Sequence, residues 1–261
     1  MLRIEHVTRR FGGIEAVQAL DLAVPAGARL GLIGPNGSGK TTLLNLISGV
    51  LQPDAGRILQ GGVPIESLPA HRIATLGIAR TFQNLRLVPH MTVRENVWLA
   101  QHSLPGASAL RRGTKIERRR AERVTELLTA LDLAGDTPVG SLPLPHQRRV
   151  ELARALAREP KLLLLDEPAG GMTATETATT GDLIRRLVPP EVTLILVEHK
   201  IDLVTRLCPR IVVLDFGRKI AEGASDEVLR RPDVMEVYFG KTLPPANPRS
   251  GISHALRDDH A

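Results

Sequence analysis

Along the first 30 residues apolar and polar positions alternate, most plainly at Leu20, Leu22 and Val24 ahead of Pro25-Ala26-Gly27, which predicts antiparallel strands and a turn. The texture then changes. Short unbroken apolar runs follow at Leu30 to Ile33, Leu162 to Leu165 and Val192 to Val197, each ending in polar residues. Strands buried on both faces of a parallel sheet carry this pattern. Helical spacing separates them: Thr41 to Ser48 places Leu43, Leu44 and Ile47 on one side and stops at Gly49, and Gln147 to Arg158 stops just before Pro160. Between about Met91 and Val139 no buried strand is legible, so this stretch predicts helices, joined by a loop at His102 to Ala107. Farther on, Asp215 to Lys219 predicts a tight turn between two strands, with a short helix near Ser225 to Arg230. The fold class expected is α/β.

Composition narrows the function classes. A chain of 261 residues with 43% hydrophobic content can bury a large core. No apolar run approaches the roughly 20 residues that span a bilayer, and the N-terminus shows no signal core or cleavage site, so a cytoplasmic protein is expected. The single cysteine, Cys208, excludes an internal disulfide framework and is expected to be buried. The net charge of +6 could suit nucleic acid, an anionic surface or simple solubility. Much of it lies in Arg111, Arg112, Lys115, Arg118, Arg119, Arg120 and Arg123, followed by Val124, Leu127, Leu128 and Leu131 at helical spacing, which predicts a solvated helix face. With aromatics at only 2%, there is no stacking platform for single strands, and no nucleic-acid partner is expected.

The chemistry begins at Gly34-Pro35-Asn36-Gly37-Ser38-Gly39-Lys40-Thr41, a phosphate-binding pattern set between an apolar strand and a helix. Glycines let backbone amides turn inward around phosphate oxygens, and a helix N-terminus adds partial positive charge. Lys40 supplies a full charge and Thr41 a hydroxyl for Mg²⁺, with Thr42 counted in the same nucleotide-binding set. A chance match in a chain of this length is on the order of 1%. Downstream, Leu162 to Leu165 runs into Asp166-Glu167, an expensive place for two carboxylates unless a metal and a water use them. Asp166 is expected to hold Mg²⁺, and Glu167 to orient and deprotonate the attacking water. A surface turn after a strand is the alternative. The run Val192 to Val197 then delivers Glu198 and His199 to the same carboxyl edge, where His199 is expected to sense the γ-phosphate or else to be structural.

These residues together resemble the ATP-binding subunits of ABC transporters, and among them those of branched-chain (hydrophobic) amino-acid importers. The resemblance spans about 2 to 240. It rests on Arg10 to Val17, the phosphate loop, Gly77 to Leu87, Gln147 to Leu156, the acidic strand end, Leu196 to His199, Arg218 to Gly223 and Val237 to Gly240. It implies a P-loop NTPase of ABC type: a mainly parallel sheet core with an N-terminal antiparallel β-subdomain and an inserted helical subdomain. The expected division is one ABC domain over 1–241, with 1–90 and 146–241 as core, 91–145 as helical subdomain, and a disordered tail over 242–261. The resemblance also implies a head-to-tail pair of such domains closing over two ATP molecules. By the same likeness Phe11 stacks on adenine, the alternative being a core aromatic. Gln83 contacts Mg²⁺ and the attacking water, while Arg86 and Leu87 face the membrane partner. ATP and Mg²⁺ are the cofactors implied. The partners implied are two integral-membrane permease subunits, a second and different ATP-binding subunit and, indirectly, an extracytoplasmic solute-binding protein, with this chain at the cytoplasmic face of the membrane.

Two departures qualify the resemblance. Leu142-Pro143-Leu144-Pro145-His146 stands where the family carries a Leu-Ser-Gly-Gly-Gln signature, so the serine and both glycines are gone. That signature gives a hydroxyl and backbone amides to the γ-phosphate held by the opposite chain, and neither Pro143 nor Pro145 has an N–H. Pro145 can still open a helix as its first residue. Losing two charge-assisted hydrogen bonds at about 1.5 to 3 kcal/mol each weakens closure about 100-fold or more. Thr173 likewise replaces an expected asparagine or aspartate. An asymmetric pair is therefore expected, in which the partner's signature completes the Lys40 and Glu167 site while this chain's own signature caps a weaker one; the alternative is that Leu144 and His146 are harmless drift and both sites work.

Overall fold

The computed structural model describes residues 1–101 and 115–239. The expected loop at His102 to Ala107, Arg111 and Arg112, Gly240 and the tail from Thr242 lie outside them.

The alternating N-terminal pattern forms β1 (Leu2–Phe11) and β2 (Ile14–Val24), paired antiparallel with Leu2 opposite Val24 and Phe11 opposite Ile14. β1 also pairs with β4 (Ala55–Gln60), which pairs with β5 (Val63–Pro64), giving the sheet order β2-β1-β4-β5. The unbroken apolar runs become β3 (Arg29–Ile33), β7 (Leu162–Asp166) and β8 (Thr193–Val197). With β6 (Ile78–Arg80), β9 (Arg210–Asp215) and β10 (Arg218–Ala224) they make a second sheet ordered β10-β9-β3-β8-β7-β6. All its pairings are parallel except that of β10 with β9.

Helices cover this sheet. They are α1 (Lys40–Ile47), α2 (Ala70–Thr75), α3 (Val93–Leu99), α4 (Lys115–Ala130), α5 (Leu144–Leu156), α6 (Ala174–Leu187), α7 (Ile201–Leu207), α8 (Ser225–Val228) and α9 (Pro232–Phe239). Successive residues of each central strand enter opposite cores. Leu163, Leu165, Leu194 and Leu196 pack with α3, α4, α5 and α7, whereas Leu162, Leu164, Ile195 and Val197 pack with α1 and the antiparallel sheet. Full burial of a leucine side chain contributes about 1.5–3 kcal/mol, which is why β7 needs no polar alternation. From Met91 to Val139 the described residues contain helices and no named strand, as expected, and Val124, Leu127 and Leu128 of α4 are buried in the first core.

One boundary differs from expectation. The second long helix starts at Leu144 rather than at Gln147 or Pro145. Pro143 is its N-cap at φ −60° and ψ 153°, and Pro145 sits in the first turn as the second residue, where a missing N–H costs nothing. Proline there starts a helix instead of breaking one.

Cys208 is fully buried as expected, and burial pushes its thiol up to about 12. The reactive thiolate is then about a thousandfold scarcer at pH 8 than for an ordinary cysteine. Native protein is expected to resist iodoacetamide, with full alkylation only after denaturation, read by intact mass. Alkylation of the native chain within minutes would contradict this burial.

Candidate functional site

β3, β6, β7 and β8 all end on one sheet edge, and the polar residues that follow them converge there. The phosphate loop leaves β3 at Gly34, whose φ of 149° admits glycine; a Cβ would lie 2.1 Å from the Leu214 carbonyl oxygen. Gly39 caps α1 at φ 101°, and its Cβ would meet the Ala16 carbonyl oxygen at 2.3 Å. The β9–β10 turn braces the loop, because the Gly217 N–H donates to the Ser38 carbonyl at 3.0 Å. Lys40 is buried, with Nζ donating to the carbonyls of Gly34 at 2.9 Å and Pro35 at 2.8 Å. Burial lowers its pKa, while the charges of Glu167 and Asp166 act to raise it. Asn36, Gly37 and Thr41 are exposed, and Thr42 and Pro35 are half-buried. The loop thus presents free surface beside a lysine that is already poised.

Asp166 and Glu167 differ sharply. Asp166 is 1% exposed and paired with Arg80, and burial raises its pKa although the Arg80 hydrogen bond works the other way. Its Oδ1 has no hydrogen-bond partner. Glu167 takes a left-handed backbone at φ 49°, uncommon for a residue with a side chain and a form of strain that clusters at functional sites. Its N–H donates to the Val197 carbonyl at 2.9 Å, which fixes the turn. Glu167 Oε2 accepts from Gln83 Nε2 at 3.0 Å, and Oε1 lies 3.1 Å from His199 Nε2. Three residues selected from distant parts of the sequence therefore meet on one carboxylate.

The remaining selected residues fall differently. Phe11 is 44% exposed at the tip of the β1–β2 hairpin, so it is not a core aromatic, and it lies beneath the Arg9 guanidinium at 4.9 Å. Among the described residues no cluster of three His, Cys, Asp or Glu could hold a metal alone. Mg²⁺ typically takes one or two carboxylates and completes its shell with phosphates and water. The unpartnered Oδ1 of Asp166 with the hydroxyl of exposed Thr41 suits such a shared site.

Sequence reasoning assigned no role to several supporting residues. Arg80 grips Asp166. Arg148 donates to the carbonyls of Phe82 at 3.0 Å and Gln83 at 2.8 Å, and Glu151 accepts from the Phe82 N–H at 2.9 Å, so α5 holds the base of the Gln83 loop. Lys200 Nζ donates to the carbonyls of Ala169 and Met172 and to Thr177 Oγ1, tying the histidine segment to the loop after Glu167. Thr173 proves to be the N-cap of α6, in a reciprocal capping box with Glu176. The pattern Thr-Ala-Thr-Glu could have disclosed that role.

Comparison with known proteins agrees with this architecture. Residues 17–170 match the family model described as ABC transporter. The chain is 37% identical over 250 residues to the high-affinity branched-chain amino acid transport ATP-binding protein BraF of Pseudomonas aeruginosa, covering 92% of this chain and 98% of that protein. It is 35% identical, with the same coverage, to LivG of Escherichia coli, which carries the same description. Among solved structures, the ADP conformation of MJ1267, an ATP-binding cassette of an ABC transporter, superposes with a TM-score of 0.81 at 31% identity, covering 92% of this chain and 99% of that one. A nucleotide-free cassette from an ABC transporter superposes with a TM-score of 0.79 at 30% identity, covering 92% and 99%. Half-buried phosphate loop, carboxylate pair and matched family model coincide in one chain, and the protein belongs to the ABC transporter family as an ATP-binding subunit.

Proposed function

We propose that this chain hydrolyses ATP to drive uptake of branched-chain or other hydrophobic amino acids, working at the cytoplasmic face of the membrane. The observation that carries the chemistry is the meeting of Gln83 and His199 on the Glu167 carboxylate, at the sheet edge where the phosphate loop also ends. Lys40 and the loop amides of 34–39 hold the phosphates, Phe11 offers an exposed face to adenine, and Thr42 continues the phosphate cradle. Thr41, Gln83 and Asp166 hold Mg²⁺, which when bound neutralises charge on the terminal phosphates. Glu167 takes a proton from the attacking water, and His199 and Gln83 fix the direction in which its two oxygens point. The amino-acid cargo rests on the descriptions of BraF and LivG.

Membrane partners are proposed because the chain is an ATP-binding subunit of the ABC transporter family; among the described residues no helix is long and apolar enough to cross a bilayer. Beside the Gln83 loop lies a cleft of about 240 Å³ whose lining includes Arg80, Phe82, Arg86, Arg154 and Arg158. Arg80 is spent on Asp166 and Glu151 also lines the cleft, so it is the exposed Arg86 that supports a permease contact next to the Gln83 loop. Two permease subunits, a solute-binding protein and a second, different ATP-binding subunit complete the proposed assembly. The test is reconstitution of all subunits in proteoliposomes, with ATP-dependent uptake of labelled leucine as the expected result. ATP hydrolysis that ignores every hydrophobic amino acid offered would overturn the cargo while leaving the motor.

A second reading, a subunit that closes on ATP with little hydrolysis of its own, is favoured by the start of α5. Pro143 and Pro145 offer no N–H, and the amides of His146 and Gln147 already donate to the Pro143 carbonyl at 3.0 and 3.1 Å. Of the family signature only the Leu144 amide is left to give. Single-turnover hydrolysis separates the readings.

A further inference from the structure

Arg80 has no role in the proposed chemistry, yet its guanidinium is 5% exposed and lies against a carboxylate that is 1% exposed. A buried ion pair of this kind is weak evidence for stability, since removing both charges from water costs much of what their attraction returns. Its geometry is more informative. One terminal nitrogen donates to Asp166 Oδ2 at 2.9 Å, and the other donates to Asn45 Oδ1 at 2.7 Å and Ser48 Oγ at 2.9 Å, at the C-terminal end of α1. Ser48 Oγ in turn donates to the Leu44 carbonyl at 2.7 Å, so the anchor is itself held. The guanidinium lies over the Phe82 ring, 4.9 Å from its centroid. The Asp166 N–H donates to Thr81 Oγ1 at 3.1 Å, which fixes the backbone of the same residue. The planar fork thus seizes one carboxylate oxygen, and Oδ1 alone is left without a partner.

A carboxylate that ligates a metal needs its orientation set by outer partners. We infer that Arg80 is the positioning residue for the divalent cation: it ties Asp166 Oδ2 to the end of α1, the helix opened by the phosphate loop, and so presents Oδ1 to the metal. This rests on the proposed role of Asp166 as the cation's carboxylate. Because α1 begins at Lys40 and carries Thr41, the same link keeps the two halves of the cation site in register. Lysine at this position retains the charge but lacks the fork, so Arg80→Lys isolates geometry from electrostatics.

The test measures Mn²⁺ affinity of the protein with ADP by electron paramagnetic resonance, ADP affinity in excess EDTA, and the thermal midpoint. Arg80→Lys is expected to weaken Mn²⁺ binding about 10- to 100-fold, with metal-free ADP affinity within about twofold of the parent. Asn45→Ala, which loosens the anchor and leaves the ion pair, is expected to weaken Mn²⁺ binding in the same direction by a smaller factor. It decides the matter should Arg80→Lys fail to fold. Unchanged Mn²⁺ affinity in a folded variant overturns the inference, as does an equal fall in metal-free ADP affinity, which marks a purely structural role. Asp166→Asn is the control for the underlying reading: if it leaves Mn²⁺ affinity intact, the cation site itself is misassigned whatever Arg80 does.

Discussion

Replacing Lys40 by alanine is expected to weaken ATP binding about 100-fold or more, because at least two charge-assisted hydrogen bonds of about 1.5–3 kcal/mol each disappear. The side chain is only 5% exposed and already curls back on the loop, donating to the Gly34 and Pro35 carbonyls. Its loss therefore also loosens the loop. A fluorescent-nucleotide titration measures the affinity, and the thermal midpoint of the free protein reports the loop. Lys40→Met keeps most of the stem but none of the donors, so it separates stem packing from hydrogen bonding: ATP binding is expected to stay as poor as in the alanine variant, and the midpoint to recover only the part that packing contributes, because the Gly34 and Pro35 carbonyls still lose their donor. Affinity equal to the unmodified protein in either variant would remove the nucleotide site from Lys40, and with it the basis for placing a triphosphate at this sheet edge.

The parts of this site that could be read in the sequence are those whose chemistry is local. The loop 34–41 declares itself because backbone conformation, charge and helix start lie within a few residues. The four leucines before Asp166 declare a doubly buried strand, and the two cores on either side of β7 are the physical reason. What escaped notice depends on long-range contact. Arg80 meets Asp166 across 86 positions, and Lys200 reaches Ala169 across 31, so neither partner is inferable from its neighbourhood. The start of α5 lies three residues ahead of the expected Gln147 for a different reason. Pro145 fits a helix start, as expected, but it stands second in the helix behind Leu144, with Pro143 as N-cap, and at these places the prolines remove only amides that a helix cannot use. The lesson extends to Thr173, where a departure from the family's communicating residue is also a sound helix cap.

The proline-rich start of α5 sets up the second large effect, in the assembled pair. In the proposed head-to-tail pair, closure would give the Lys40 and Glu167 site the partner's signature, and would give the partner's nucleotide residues 142–146 of this chain, poor in free amides. Glu167→Gln keeps the size and the hydrogen-bond capacity toward Gln83 and His199 but cannot accept the water's proton, and general-base contributions are typically 10²- to 10⁴-fold. Steady-state turnover of the reconstituted pair is therefore expected to fall at least about 100-fold, with ATP affinity retained. The equivalent substitution in the partner subunit is expected to leave most turnover in place, if that site closes weakly as proposed. Phosphate release per assembled pair measures both. If the partner's substitution abolishes turnover while Glu167→Gln spares it, the productive site is the other one. Equal losses from the two substitutions mean that Leu144 and its flanking prolines still support closure, and the asymmetry then has to be sought outside the signature.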